Sequence, residues 1–242
     1  MGVYVKSNYL LSLDLMNWSL NTIAKEVYTK MSKRSKKKKP KQSIKKKEYL
    51  ALLVALDKKR LYLSTADSKL VKFQLMKLDN ITRAFVVLYH TGIRMSELQN
   101  IKVSDIVEAI QKEEMFVYQL KTKSIREVSI SPIGGQEFRD VFNEQLNEPY
   151  QDTYILRRWG KPREKLSIGY IERILNHFLR NTLGERYSTH SFRRGLINDM
   201  INLGCSTVEV QKMIGHKHIS TTSIYADELI EERKKQIITS VR

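Results

Sequence analysis

The chain has 242 residues, 41% of them apolar, and a formal net charge of +17. That length carries one substantial domain with a real core, or a domain plus a small appendage, and the charge calls for a polyanionic partner, either nucleic acid or an anionic surface. The lone cysteine, Cys205, excludes an internal disulfide and a cysteine-based metal finger, and the longest apolar runs, 49–56 and 84–89, fall well short of the roughly 20 residues a membrane helix needs, so a soluble cytoplasmic protein with no membrane partner is expected.

In chain order, residues 1–32 read as a short helical segment, with Leu20, Ile23, Val27 and Met31 at three- and four-residue steps. From Lys30 to Lys47 there are eleven lysines and arginines, no acidic residue, and Pro40 inside the run. Such a block repels itself, so 33–47 is read as an extended basic linker. Lys33, Arg34, Lys36, Lys37, Lys38, Lys39 and Lys41 are its candidate contacts to a phosphate backbone, the bland alternative being a solvated tail or localisation signal.

The main domain is expected over 48–227. Ser43 can cap a helix running through Leu56, and a second helix through Val86 and Leu88 ends at Gly92, a left-handed C-cap that delivers Arg94 from a sharp turn. Residues 114–120 and 126–130 are rich in β-formers on either side of Lys-Thr-Lys-Ser-Ile, which predicts a hairpin with Lys121 and Lys123 at its tip. Ser131-Pro132 and Gly134-Gly135 read as turn punctuation. Helices follow over 168–183, 190–203 and 206–214, the last opened by the capping-box pattern Ser206-x-x-Glu209. Residues 228–242 form a further amphipathic helix with Leu229, Ile230, Ile237 and Ile238. The fold class expected is α+β, mainly α-helical, with a small antiparallel β-sheet.

His190 and Arg193, three apart at a helix start, share a face and can reach one anion, which the free N–H groups of that helix end also favour. A guanidinium grips two phosphate oxygens at once, so Arg94 and Arg193 can clamp a phosphate from two sides. An unperturbed tyrosine has a pKa of about 10, so a tyrosine such as Tyr225 is a weak nucleophile near neutral pH until a base accepts its proton or cations stabilise the phenolate. Any one of the twelve tyrosines is more often a packing or surface residue, and a single His-x-x-Arg is a weak signal; the conjunction carries the case. His190, His216 and His218 lack a cysteine or carboxylate cluster at ligand spacing, so no metal is expected. His90 and His177 read as structural or exposed, and Cys205 as a small packing residue.

TGIRMSEL at 91–98, HSFR at 190–193, IGHKHISTT at 214–222 and a tyrosine nine residues after His216 together resemble the tyrosine recombinase or phage integrase family, from about Ser43 to Tyr225. The resemblance implies that family's catalytic domain and its activity: a tyrosine cuts one strand of duplex DNA, holds the 3′ end as a phosphotyrosine ester, and passes it to the 5′-hydroxyl of a partner strand. It implies no cofactor and no metal, a homotetramer working on two duplexes through a four-way junction, accessory DNA-bending proteins, and exchange of the C-terminal segment 228–242 between protomers. It assigns Arg94 and Arg193 to the phosphate, His190 to accepting a proton, His216 to a phosphate oxygen, Tyr225 to the attack, and Lys121 to protonating the departing 5′-oxygen, with Lys123 the alternative. Thr221 and Thr222 would cap a short helix carrying the tyrosine.

Two departures stand out. Only about forty residues precede the matching region, where the family has a helical core-binding domain, so the chain is a short member or part of a longer one. Arg194 stands where many relatives have a second histidine. Two rivals share the features: a type IB topoisomerase, which rejoins the original strand, and a DNA-binding regulator that keeps the fold without cutting.

Overall fold

The structure is a computed structural model that describes residues 41–63, 68–120, 123–148 and 152–240. The helical segment expected within 1–32, the basic residues Lys33, Arg34, Lys36, Lys37, Lys38 and Lys39, and Lys121 lie outside the described residues. Helix α1 (Lys46–Leu63) leads to α2 (Lys69–Thr91), the short α3 (Met95–Leu98) and α4 (Val103–Lys112). An antiparallel hairpin, β1 (Glu114–Gln119) and β2 (Ser124–Ser129), precedes α5 (Pro132–Leu146) and a second hairpin of β3 (Arg157–Arg158) and β4 (Lys161–Lys165). The chain then runs through α6 (Ile168–Leu183), α7 (His190–Asn202), α8 (Thr207–Ile214) and α9 (Ile219–Ser240). The mainly helical α+β class is as expected.

Helix α2 is the axis of the core because its sequence is apolar around most of its circumference: Ala84, Phe85, Val86, Val87 and Leu88 are all buried. It packs on α1, α5 and α7. The Phe85 ring meets Phe178 of α6 and Phe192 of α7 at centroid distances of 5.8 and 5.2 Å. Ser68 caps its start by accepting from the Val71 N–H at 3.2 Å. Gly92 closes its end at φ 57°, its N–H donating to the Leu88 carbonyl, as the sequence predicts. Helices α6, α7 and α8 fall within a residue of their predicted spans, and Ser206 with Glu209 forms the predicted capping box.

Three local expectations are corrected. Ser43 does not cap α1, which starts at Lys46; its hydroxyl accepts from the Asn198 amide at 3.1 Å, while the Ile44 N–H donates to the Ser191 carbonyl, so residues 43 and 44 are used in docking onto α7. The Gly134-Gly135 pair is not a turn but lies in the first turn of α5, where Ser131 accepts from the Gly134 N–H and Pro132 presets the first helical φ. Thr221 and Thr222 do not cap a short helix. They sit inside α9, which runs unbroken from Ile219 past Tyr225 to Ser240, Thr222 being fully buried.

The β3–β4 hairpin is absent from the sequence reading. Its anchor is Arg157, paired through both terminal nitrogens with Glu148 at 2.6 Å each and bonded through backbone N–H and carbonyl to the Asn80 side chain at 2.8 Å each. A small second core of Ile197, Val210 and Ile214, with Leu196, Met200, Ile201, Cys205 and Tyr225 packed on it, ties α7, α8 and α9 together. No helix among the described residues is long and apolar enough to cross a membrane.

Candidate active site

An α-helix leaves its last four carbonyls without partners in its own ladder. At the end of α8, the Gln211 and Lys212 carbonyls accept from the N–H groups of Gly215 and His216. The next three carbonyls are each taken by a different arginine. Arg126 of β2 donates to Met213 at 2.9 Å, Arg193 of α7 to Ile214 at 2.6 Å, and Arg94 to Gly215 at 2.9 Å. Three cations thus meet the negative end of a helix dipole, and residues a hundred positions apart are brought together. Gly215 makes this possible through φ 72° and through its lack of a side chain; a Cβ there would stand 2.0 Å from Gln119 Nε2 and 2.8 Å from Arg126 Cδ.

A second set of bonds fixes the guanidinium groups relative to each other. Arg94 donates through Nη1 to Glu97 Oε1 at 2.8 Å and through its backbone N–H to Oε2 at the same distance, while Arg126 reaches Oε2 at 3.3 Å. Glu97 is only 1% exposed. Arg193 adds a bond to the Gly92 carbonyl at 2.8 Å, tying the C-cap of α2 to the site. Each of Arg94 and Arg193 has five N–H donors and commits only part of them here, leaving others for oxygens of an incoming anion.

Crowding these cations bears on how the groups around them hold their protons. Burial, then Arg94 and Arg126, push the Arg193 pKa down to about 9, so the group remains cationic at neutral pH but gains from any anion that arrives. Burial, followed by Arg193, Arg94 and Arg126, pushes His216 down to about 4. His190, exposed at the first position of α7, is lowered by lost hydration and then by Arg193, partly opposed by Glu172. Both imidazoles are therefore neutral near pH 7, with a lone pair available for a proton. Thr189, which precedes His190, makes no side-chain cap, so the helix start keeps its anion-binding character.

His216 is held by a 2.9 Å bond between Nδ1 and the buried Thr222 hydroxyl. Its ring lies nearly parallel to that of Tyr225, at 14° and 6.2 Å between centroids. Tyr225 is half-buried in α9, and its oxygen acts electrostatically on Arg193. The Arg194 guanidinium lies 5.1 Å from the centre of the Tyr225 ring, a cation–π contact that steadies it.

The site therefore brings together Arg94, Arg193, His216 and Tyr225, with His190 felt electrostatically by the same arginines. Lys123 is exposed in the β1–β2 turn at φ 52°, and Lys41 rests its ammonium on the Glu185 carbonyl at 3.2 Å. The sequence reading missed Glu97 and Arg126, and gave Thr222 a capping role in place of its bond to His216. Glu97 lies within TGIRMSEL and was recoverable as a carboxylate three residues after an arginine; Arg126 carried no local signal. His90 is structural, bonded to Glu137 at 3.1 Å, and His177 is exposed beside Asn181. No group of His, Cys, Asp or Glu suited to a metal occurs among the described residues.

A tyrosine recombinase XerC of Herpetosiphon aurantiacus is 31% identical over 146 residues, 57% of this chain and 45% of the relative. A tyrosine recombinase XerA of Pyrococcus furiosus is 29% identical over 153 residues, 63% of this chain and 51% of the relative. The chain thus spans about half the length of the curated relatives it matches. Among solved structures, the XerA recombinase superposes with a TM-score of 0.58 at 19% identity, over 82% of this chain and 66% of that one. The XerH site-specific recombinase in its post-cleavage complex with a palindromic difH substrate superposes with 0.60 at 14% identity, over 83% and 53%. The fold is shared with both. With the phage integrase family model matching residues 42–232, the chain belongs to the phage integrase family.

Proposed function

We propose that the chain cuts and rejoins duplex DNA as a site-specific tyrosine recombinase. Tyr225 Oη attacks a backbone phosphorus, a Tyr–O–P bond forms at the 3′ end, and the bond to the 5′-oxygen breaks. His190, neutral near pH 7, accepts the phenol proton. Arg94 and Arg193 hold the nonbridging oxygens as charge grows on them, and a neutral His216 adds a hydrogen bond. Lys121 or Lys123 protonates the departing 5′-oxygen. The ester keeps the bond energy, so a partner's 5′-hydroxyl reverses the steps without ATP or a metal. Relatives named as tyrosine recombinases support strand exchange over simple relaxation. In this reading the working form is a cytoplasmic homotetramer on two duplexes, with accessory DNA-bending proteins, and the segment 228–242 passes between protomers. The run from Lys33 to Lys41 adds phosphate contacts.

The observation that carries the proposal is the convergence of Arg94 and Arg193 on the α8 end, next to His216 and the Tyr225 ring. The test needs no known target. A pool of nicked duplexes with a randomised core is incubated with the chain, and SDS-resistant protein–DNA adducts are captured and sequenced. An adduct that Tyr225→Phe abolishes, with stability changed by no more than about 0.5 kcal/mol, supports the proposal. Adducts that survive in Tyr225→Phe, or none at any salt concentration, reject it; supercoil relaxation without recombinants indicates the topoisomerase.

A further inference from the structure

The buried face of the β1–β2 hairpin changes character along its length. At its base it is apolar, with Met115, Val117 and Val128; toward the tip it presents Gln119, 3% exposed, and Arg126, 7% exposed. A polar group on the inner face of a strand is costly unless it is bonded, and Arg126 spends its guanidinium on two acceptors from two different elements. Nη2 meets the buried Glu97 carboxylate, which holds Arg94, and Nη1 meets the Met213 carbonyl, two residues before the turn that leads to His216. The Gly215 backbone lies against the Gln119 and Arg126 side chains with no room for a Cβ. The Arg126 Nε–H is buried with no partner among the described residues. Holding a hairpin onto a helix needs nothing so costly as a buried, incompletely satisfied guanidinium.

We propose that Arg126 is a positioning residue for the phosphate site: by bridging Glu97 and the Met213 carbonyl it fixes Arg94 and the His216 turn relative to one another without touching DNA. The proposal rests on the strand-transfer reading above. Arginine is required because its planar fork spans two acceptors, whereas a lysine ammonium is a single point of charge on a flexible stem. Misplacing Arg94 by an ångström weakens its hold on the phosphate at the moment of displacement, when it matters most.

The test uses Arg126→Lys with the duplex captured above. The first-order rate of adduct formation at saturating DNA falls by about 10- to 100-fold. The half-saturating DNA concentration changes by less than about threefold, because affinity is spread over many phosphate contacts, and the fraction of molecules that react is unchanged. A parental rate, a loss confined to half-saturation, or a loss confined to the reactive fraction overturns the proposal. If Arg126→Lys does not fold, Arg126→Gln carries the same measurements, and unfolding of both makes Arg126 a stability residue and overturns it as well. If the parent chain forms no Tyr225-dependent adduct, the strand-transfer reading fails separately. Inorganic phosphate, followed through the His216 ring resonances, then decides the role of Arg126: binding about tenfold weaker in Arg126→Lys supports it, and equal affinity overturns it.

Discussion

The core around α2 and the layer around the end of α8 are built on opposite principles. In the first, Phe85, Phe178 and Phe192 bury apolar surface without any demand on charge. In the second, three guanidinium groups sit close enough that Arg94 and Arg126 help to lower the pKa of Arg193, held by one carboxylate and three helix carbonyls over a small core of Ile197, Val210 and Ile214. The first region serves stability, and the second, in the proposed strand-transfer reading, serves reactivity. The link between them is short and stiff: Arg94 lies two residues beyond the C-cap of α2, and Arg193 bonds the cap carbonyl itself. Repulsion kept in place by rigid neighbours is what makes an incoming phosphate welcome.

Three changes break or sharpen that contrast, in descending size. Phe85→Ala opens a cavity in the α2 core and lowers unfolding free energy by about 3–5 kcal/mol, read by urea denaturation. Adduct formation per folded molecule should stay at the parental rate, and a slower rate would show that the two regions are not separable. Glu97→Gln, in the charged layer, leaves the buried Arg126 without its counter-charge and, by weakening hydrogen bonds between charged groups, lowers stability by about 1.5–3 kcal/mol. Unlike the first change, it also slows the chemistry per folded molecule, because Arg94 loses its brace; unaltered rates would mean Arg94 is placed by Gly215 alone.

The smallest effect is in pH. The folded-state pKa of His216 is about 4, below the ordinary value of about 6.5 that applies unfolded. Between these values the unfolded chain binds more protons, so the histidine's contribution is intact above pH 6.5 and is lost as pH falls through about 4. Partial exposure screens the effect, which keeps it below the other two. His216→Gln should lose less stability than the parent between pH 7 and pH 4.5 in urea unfolding, and equal losses would place the acid sensitivity elsewhere.

What the sequence made readable was local. Ser206 with Glu209 signals a helix start, Gly92 a helix end, and the β-formers over 114–120 a strand, because capping, left-handed φ and strand preference are each decided within a few residues. Local rules failed where another group, near or distant, claimed the residue. Ser43 answers to Asn198 rather than to its own helix, Gly134-Gly135 is drawn into α5 by Ser131 and Pro132, and Thr222 is taken by His216 inside a helix that runs on. Arg157 depends on Asn80 and Glu148, so its hairpin had no signature of its own. The candidate site was legible through its motif residues and hidden in its support: Arg126 looks like any strand arginine until its two acceptors are seen.

By itself the sequence determined part of the order of the elements, the basic character of the chain, and the identity of Arg94, His190, Arg193, His216 and Tyr225 as candidates, since each rests on residue type and short-range spacing. Only the tertiary structure decided that three arginines from three elements share successive carbonyls at one helix end, that Glu97 couples two of them, and that Arg194 lies over the Tyr225 ring. The physical reason is range. Backbone preferences act between near neighbours, whereas burial and charge act between whatever the fold brings within a few ångströms.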